Sequence, residues 1–160
     1  MKTLVVFYSK TGITAETAKL MKKQAGDHSL DVVNIKENKK VSPSGYDRVY
    51  IGSGVYGGSM PMELAQFVQK NASELKEKKL IVFIHALGSE EKYQKIAAKI
   101  MSPLGRKNYE VFYLGGKAEL SKQNFFIRAL MKKLAKAKNL DMEYPNTISQ
   151  SEIQALLKTI

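Results

Sequence analysis

The sequence predicts an α/β protein with a doubly wound sheet of five parallel strands in the order 2-1-3-4-5 and helices on both faces. Short apolar runs alternate along the chain with longer stretches of helical periodicity. The first run, residues 3–8, is apolar almost throughout, as expected of a strand buried on both faces. An alternation of strands and helices predicts a parallel sheet, and right-handed crossovers leave few topologies for it.

The elements follow one another without repeats or a low-complexity linker. The predicted strands cover residues 3–8, 30–35, 46–52, 79–84 and 108–114. The predicted helices cover residues 12–25, 61–70, 89–101, 125–138 and 149–160. In the first helix the predicted inward residues are Ala15, Ala18, Leu20 and Met21. We expect residues 1–160 to form one domain, since this length suits a single core.

Composition excludes several kinds of chemistry. The chain has no cysteine, which excludes disulfides, thiolate metal sites and cysteine nucleophiles. His28 and His85 lack the carboxylate spacing that a metal site would need. No apolar run is long enough to span a bilayer, and no secretory signal is visible. We therefore expect a cytoplasmic protein without a metal.

The net charge of +11 implies an anionic partner, which is nucleic acid, acidic lipid, an acidic protein or a carboxylate-bearing substrate. Part of this charge lies in the predicted helix 122–138, whose basic residues are Lys122, Arg128, Lys132, Lys133, Lys136 and Lys138. Its apolar stripe consists of Phe126, Ile127, Leu130, Met131 and Leu134. The favoured interpretation is a core-facing helix with solvated lysines. The second interpretation is that the helix makes peripheral contact with the inner face of an anionic membrane. No motif for specific nucleic-acid recognition accompanies the charge.

The loop after the first strand has the residue types of a phosphate site. A helix N-terminus leaves backbone N–H groups unpaired, and hydroxyl groups beside it add donors. The loop lacks both G-x-x-x-x-G-K-[ST] and G-x-G-x-x-G, so neither a triphosphate nor a dinucleotide motif applies. The alternative is that Ser9 and Thr14 only cap the helix. The candidate phosphate-binding residues are Ser9, Lys10, Thr11, Gly12, Ile13 and Thr14.

A second loop follows the third strand. In a sheet of this order ligands lie beyond the carboxyl ends of the strands, between the first and third. The glycines of this loop predict positive φ rather than a strand or helix, and Tyr56 could stack on a flat ligand. The other interpretation is a mobile turn with an incidental tyrosine. The candidate residues are Ser53, Gly54, Val55, Tyr56, Gly57 and Gly58.

These two segments resemble the flavodoxin family. Residues 9–14 match its [T/S]-x-T-G-x-T phosphate loop, and residues 46–58 match its third strand and first flavin-contacting loop. The resemblance covers essentially the whole chain and implies one bound FMN. It implies that residues 9–14 hold the flavin phosphate, that Tyr56 stacks on the isoalloxazine, and that Gly57 or Gly58 lies beside N5.

The resemblance also implies a second flavin loop after the fourth strand, formed by Ala86, Leu87 and Gly88. Many flavodoxins carry an aromatic residue here, whereas this sequence has none until Tyr93. Leu87 therefore covers the second face of the ring, or that face is open to substrate. His85 is a candidate proton donor, although a lone histidine at a strand end is more often structural.

Weaker cues, in residues 46–53, 63–68 and 123–132, resemble the branch that includes menaquinone-dependent protoporphyrinogen oxidase. That branch implies an FMN-dependent oxidoreductase acting on a quinone or a carboxylated tetrapyrrole, although no aromatic insertion for such a substrate is apparent after the fourth strand. The alternatives are an electron carrier for an acidic partner protein and a flavin-free binding module. Family carriers are typically acidic. Here we expect Lys10 and Lys117 to favour the reduced, anionic flavin.

Overall fold

The computed structural model describes residues 1–105 and 108–160 of the chain. Its strands are β1 (Thr3–Tyr8), β2 (Leu30–Asn34), β3 (Arg48–Gly54), β4 (Lys79–His85) and β5 (Glu110–Tyr113). They form one sheet in the order β2-β1-β3-β4-β5, and every neighbouring pair is parallel. The predicted strand order is therefore confirmed.

The helices are α1 (Ile13–Ala25), α2 (Met62–Lys70), α3 (Ala72–Leu75), α4 (Glu90–Met101), α5 (Phe125–Ala137) and α6 (Gln150–Leu157). Short 3₁₀ helices cover Ser102–Leu104 and Leu120–Lys122. Helices α2, α3 and α4 cover one face of the sheet, and α1 and α6 cover the other. Within the described ranges, no helix combines the length and the apolar content that crossing a membrane requires.

The central strand β1 is buried because both of its faces meet helices. Leu4 and Val6 pack into the apolar layer beneath α2 and α4, whereas Val5 packs into the layer beneath α1 and α6. All three side chains are fully buried. This alternation explains why β1 is apolar at successive positions.

The inner side of α1 differs in part from the prediction. Ala18 and Met21 are buried as predicted, but Leu20 is 44% exposed. Thr14 and Thr17 are buried in its place. The two threonines form the buried side of the helix together with Ala18 and Met21. A prediction based on apolar residues alone omits the threonines and therefore includes Leu20 by mistake.

Strand β3 begins and ends two residues later than predicted. Ser53 and Gly54 belong to the strand, since Gly54 pairs with His85 at the end of β4. The expectation that the glycine-rich loop excludes a strand was therefore wrong for Gly54, whereas Gly57 and Gly58 lie outside the strand. A Cβ on Gly52 would lie 2.1 Å from the ring of Phe83, so the missing side chain makes room for that ring in a buried strand.

Helix α5 is not the core-facing helix that the sequence favoured. Ala135 is its one buried residue, and Phe126 is 81% exposed. Lys117 and Asn146 form an antiparallel bridge, so residues 118–145 leave the layers and return to the same place. We call this segment the excursion. Helix α6, which follows it, packs on the sheet instead, because Ile153 and Leu156 supply the apolar contacts.

Candidate functional site

The three predicted loops meet at the carboxyl edge of the sheet. The backbone N–H of Lys10, after β1, donates to the hydroxyl of Tyr56 at 2.9 Å. The N–H of Val55, after β3, donates to the carbonyl oxygen of His85 at 3.1 Å. The loops after β1, β3 and β4 are thus joined around the crevice where the strand order reverses.

Gly12 directs the chain from β1 into α1. Its φ of +94° is a left-handed conformation that residues other than glycine rarely adopt. The first helical hydrogen bond runs from the N–H of Glu16 to the carbonyl of Gly12 at 2.9 Å. The N–H groups of Ile13, Thr14 and Ala15 therefore have no acceptor within their own helix. They form the positive end of a helix of 13 residues, which is a suitable place for an anion.

Helix capping accounts for only part of this loop. The N-cap residue is Gly12, which provides no side chain, and Thr14 lies inside the helix. The hydroxyl of Ser9 accepts the N–H of Gly12 at 3.1 Å, so Ser9 has the local role that the capping interpretation gave it. Thr11 is exposed and Thr14 is buried beside the unpaired N–H groups. Their hydroxyls are neutral hydrogen-bond donors, so an anion could be bound at this helix end without a positively charged side chain.

Gly57 and Gly58 form a two-residue turn. The N–H of Tyr56 donates to the carbonyl of Ser59 at 2.9 Å, and the N–H of Ser59 donates to the carbonyl of Tyr56 at 3.2 Å. Both glycines have positive φ, +60° and +82°, as the sequence predicts for this loop. Such a turn demands residues that tolerate positive φ at both central positions.

Tyr56 connects this turn to the loop between β1 and α1. Its ring meets Tyr8 edge-on, with centroids 6.1 Å apart, and the Nζ of Lys10 lies 5.9 Å from the ring centroid. Burial raises the pKa of the Tyr56 phenol, so the hydroxyl stays protonated and neutral at physiological pH. These contacts hold the ring against the loop after β1. Tyr8 was not among the predicted site residues, although it ends the first apolar run.

The loop of Ala86, Leu87 and Gly88 follows β4 and packs against the side chain of Tyr93. The hydroxyl of Tyr93 lies directly against the backbone of Gly88. A Cβ on Gly88 would lie 1.9 Å from that hydroxyl, so a larger residue there would require the Tyr93 ring to move. Burial raises the pKa of Tyr93 as well. The first aromatic residue after β4 therefore lies beneath the loop.

The excursion supports the same loop from the side. The Nζ of Lys138 donates to the carbonyl oxygen of Gly88 at 2.6 Å. Leu87 lines a small apolar pocket together with Met131, Leu134, Ala135, Leu140 and Pro145. The sequence did not predict this arrangement, because the expected place for a substrate-binding insertion was after the fourth strand, whereas the excursion follows the fifth.

His85 is a structural residue in this geometry. Its Nδ1 donates to the carbonyl of Gly115 at 2.9 Å, and its Nε2 then accepts the hydroxyl of Thr17 at 2.8 Å. Burial lowers the pKa of His85, and Lys117 lowers it further, while the Gly115 bond and Glu16 act in the opposite direction. A neutral ring with both nitrogens engaged gives no support to a role as proton donor.

We expect the lowered pKa of His85 to make stability depend on pH. The unfolded chain takes up a proton near pH 6.5 while the folded histidine stays neutral, so stability is full above that pH and falls as the pH drops below it. The slope is at most about 1.4 kcal/mol per pH unit. Urea unfolding between about pH 8 and pH 5 measures it. His85→Gln should abolish the slope and His28→Gln should retain it; an unchanged slope in His85→Gln would contradict this assignment.

The two lysines expected to act on a flavin differ in their surroundings. The Nζ of Lys117 lies 3.9 Å from a carboxylate oxygen of Glu16. Lys10 forms no ion pair with any residue in the described ranges. The positive field expected at the crevice therefore depends more on Lys10 than on Lys117. Among the described residues, no group of three histidine or acidic side chains is arranged to hold a metal ion.

A five-stranded parallel sheet in this order, with a hydroxyl-rich turn between β1 and α1, defines the class of flavodoxin-like α/β domains. Residues 4–144 of the chain match the family model described as the flavodoxin domain. The chain therefore belongs to the flavodoxin domain family. No curated protein matches it in sequence.

Solved structures with the same fold are only distantly similar in sequence. A flavodoxin from Streptococcus pneumonia TIGR4 superposes with a TM-score of 0.57 at 16% identity, covering 99% of this chain and 94% of its own. Oxidised flavodoxin 1 from Bacillus cereus gives 0.54 at 21% identity, covering 88% and 100%. Rubredoxin oxygen:oxidoreductase from Desulfovibrio gigas gives 0.56 at 15% identity, covering 99% of this chain and 36% of its own. These likenesses concern the fold alone.

Proposed function

We propose that this protein binds one FMN and is an FMN-dependent oxidoreductase whose substrate is a quinone or a carboxylated tetrapyrrole of the protoporphyrinogen type. The observation that carries the proposal is the start of α1. Gly12 turns the chain so that three N–H groups without a helical acceptor, those of Ile13, Thr14 and Ala15, lie beside the hydroxyls of the loop. Membership in the flavodoxin domain family supports this choice of cofactor.

The residues present fit the phosphate of FMN. A phosphomonoester offers several acceptor oxygens and a negative charge, and the loop offers N–H and O–H donors at the positive end of a helix. Residues 9–14 would hold this group. The exposed Lys10 is free of ion pairs with described residues and adds attraction from the side.

The crevice between the other two loops suits a flat ring. The glycine turn on one side and the Leu87 loop on the other carry few bulky side chains, and the ring of Tyr56 lies over Gly54 at the end of β3. We propose that Tyr56 flanks the ring and that a backbone group of Gly57 or Gly58 lies beside its central edge. When bound, FMN supplies the redox chemistry, while the chain positions it and sets the field around it.

The choice of substrate class rests on two features of the chain. The net charge of +11 attracts anions such as a carboxylated tetrapyrrole. The exposed apolar side chains of α5 include Leu134, which lies next to Leu87, and provide a neighbouring surface for an apolar molecule such as a quinone. An electron carrier that serves an acidic protein would use the same charge, so turnover has to separate the two functions.

The experiment begins with the absorption spectrum of the purified full chain, before and after addition of FMN. We expect one flavin per chain; a colourless protein that takes up no FMN would overturn the proposal. Photoreduction of the loaded protein under anaerobic conditions is then followed with and without menaquinone. Rapid reoxidation by menaquinone with steady-state turnover supports the oxidoreductase. Salt-sensitive exchange with an acidic reductase, without turnover of either substrate class, would show a carrier instead.

A further inference from the structure

Helix α5 is attached to the molecule along one side only. The inward side holds Ala135, which is buried, and Arg128, whose guanidinium donates to the carbonyl oxygens of Leu120 and Ser121 at 3.1 and 2.9 Å. The N-terminus is capped by the side chain of Asn124, which accepts the N–H of Ile127 at 3.0 Å. The helix is therefore a defined element whose opposite side faces solvent.

Large apolar side chains cover that outer side. Phe126 and Leu130, one helical turn apart, are 81% and 60% exposed. Phe125 is 78% exposed, and its ring meets that of Phe126 edge-to-face at 5.7 Å. Ile127 and Leu134 extend the same surface. Two adjacent exposed phenylalanines followed by leucine form a contiguous apolar patch, which is uncommon on a protein surface without a partner.

Lysines border this patch. Residues 120–140 contain no acidic side chain. Lys132 pairs with Glu143 at 3.0 Å, whereas Lys133 and Lys136 are exposed and form no ion pair with a described residue. Lys133 follows Phe126 by seven residues and Leu130 by three, and this helical spacing places it on the same outward side as both. The outer side thus combines an apolar stripe with uncompensated positive charge.

We propose that α5 docks on the surface of an anionic lipid bilayer, with Phe125, Phe126 and Leu130 entering the interface and the lysines contacting lipid headgroups. This combination of exposed aromatic and leucine side chains with flanking lysines is the chemistry of a helix that lies in the plane of a membrane interface. An acidic protein would match the lysines alone, whereas the apolar residues require a partner with both negative charge and an apolar interior.

Docking in this way would bring the candidate flavin site to the membrane. Lys138, just after α5, donates to the carbonyl of Gly88, and Leu87 contacts the pocket that α5 helps to form. This step rests on the proposed function, because it supplies a route from the bilayer to the flavin for a lipid-soluble quinone. The docking itself depends only on the surface of α5.

Co-sedimentation of the full chain with vesicles tests the proposal. We expect binding to phosphatidylcholine vesicles containing about 30% phosphatidylglycerol to be at least about tenfold tighter than to phosphatidylcholine alone, and to weaken at about 0.5 M salt. The double variant Phe126→Ser/Leu130→Ser should lose about tenfold or more in affinity. Lys133→Gln/Lys136→Gln should lose affinity and most of the salt dependence.

Lys39→Gln/Lys40→Gln removes the same charge from an exposed loop and serves as the matched control, with binding expected to stay close to wild type. Equal binding to both vesicle types, no binding, or insensitivity to both α5 variants would overturn the proposal. So would preferential capture of the protein by polyglutamate or RNA in competition with the vesicles. FMN uptake, measured on the same samples, reports separately on the proposed function, so either can fail without the other.

Discussion

Replacing Thr14 with valine is expected to weaken FMN binding by about ten- to hundredfold, the range for losing a hydrogen bond to a charged group. Thr14 is 1% exposed in the first turn of α1, beside N–H groups without a helical acceptor. Valine keeps the shape of the side chain and removes only the hydroxyl donor. Combining it with Thr11→Val should enlarge the loss. Fluorescence titration of FMN with the purified protein measures the affinity.

Riboflavin and a second threonine provide the controls for this result. Riboflavin lacks the phosphate, so its affinity should change little in the Thr11→Val/Thr14→Val protein, and the advantage of FMN over riboflavin should shrink. Thr3→Val, at the opposite end of β1, should leave FMN binding unchanged. If the double variant bound FMN as tightly as the wild type does, the phosphate would have to lie elsewhere.

Gly115→Ala is expected to reduce the free energy of unfolding by about 2–4 kcal/mol. Gly115 has a φ of +69°, and a Cβ there would lie 1.8 Å from the carbonyl oxygen of Thr147, a backbone atom that cannot turn aside. The segments around Gly115 and Thr147 would have to separate. Their contact includes the hydrogen bond from the Thr147 N–H to the carbonyl of Gly116 at 2.7 Å. Urea unfolding of the variant measures the loss.

Gly45→Ala isolates the steric part of that effect. Gly45 has a similar φ of +75°, but a Cβ there has no neighbour within 4 Å. Its variant should lose only the cost of the left-handed backbone, about 1–2 kcal/mol. Equal losses in the two variants would mean that backbone conformation alone, rather than the clash with Thr147, limits position 115.

The sheet could be predicted from the sequence because its determinants are local. The run from Leu4 to Val6 is apolar at consecutive positions and rich in β-branched residues, which is typical of a strand covered on both faces. The turn between β1 and α1 was predictable for the same reason, since Ser9 and Gly12 hydrogen-bond within one turn of chain. Thr17 was missed on the inner side of α1 because its burial depends on His85, which is 68 residues away.

The position of α5 could not be predicted, because helical periodicity shows that a helix has an apolar side and not what covers that side. The answer depends on the bridge between Lys117 and Asn146 and on α6 taking the place against the sheet. The same holds for the support of the Leu87 loop. Tyr93 is near Gly88 in sequence, but Lys138 reaches Gly88 from 50 residues away, and no local pattern reports such a contact.

The bridge between Lys117 and Asn146 has a consequence for the dynamics of the chain. Because the excursion begins and ends at residues that pair with each other in space, we expect α5 to open locally while the five-stranded sheet stays folded. With Ala135 as the single buried residue of α5, the amide protons of that helix should exchange with solvent through local opening, whereas those of β1 and β3 should wait for global unfolding. Hydrogen exchange would then show lower local stability in α5 than in the sheet beside it.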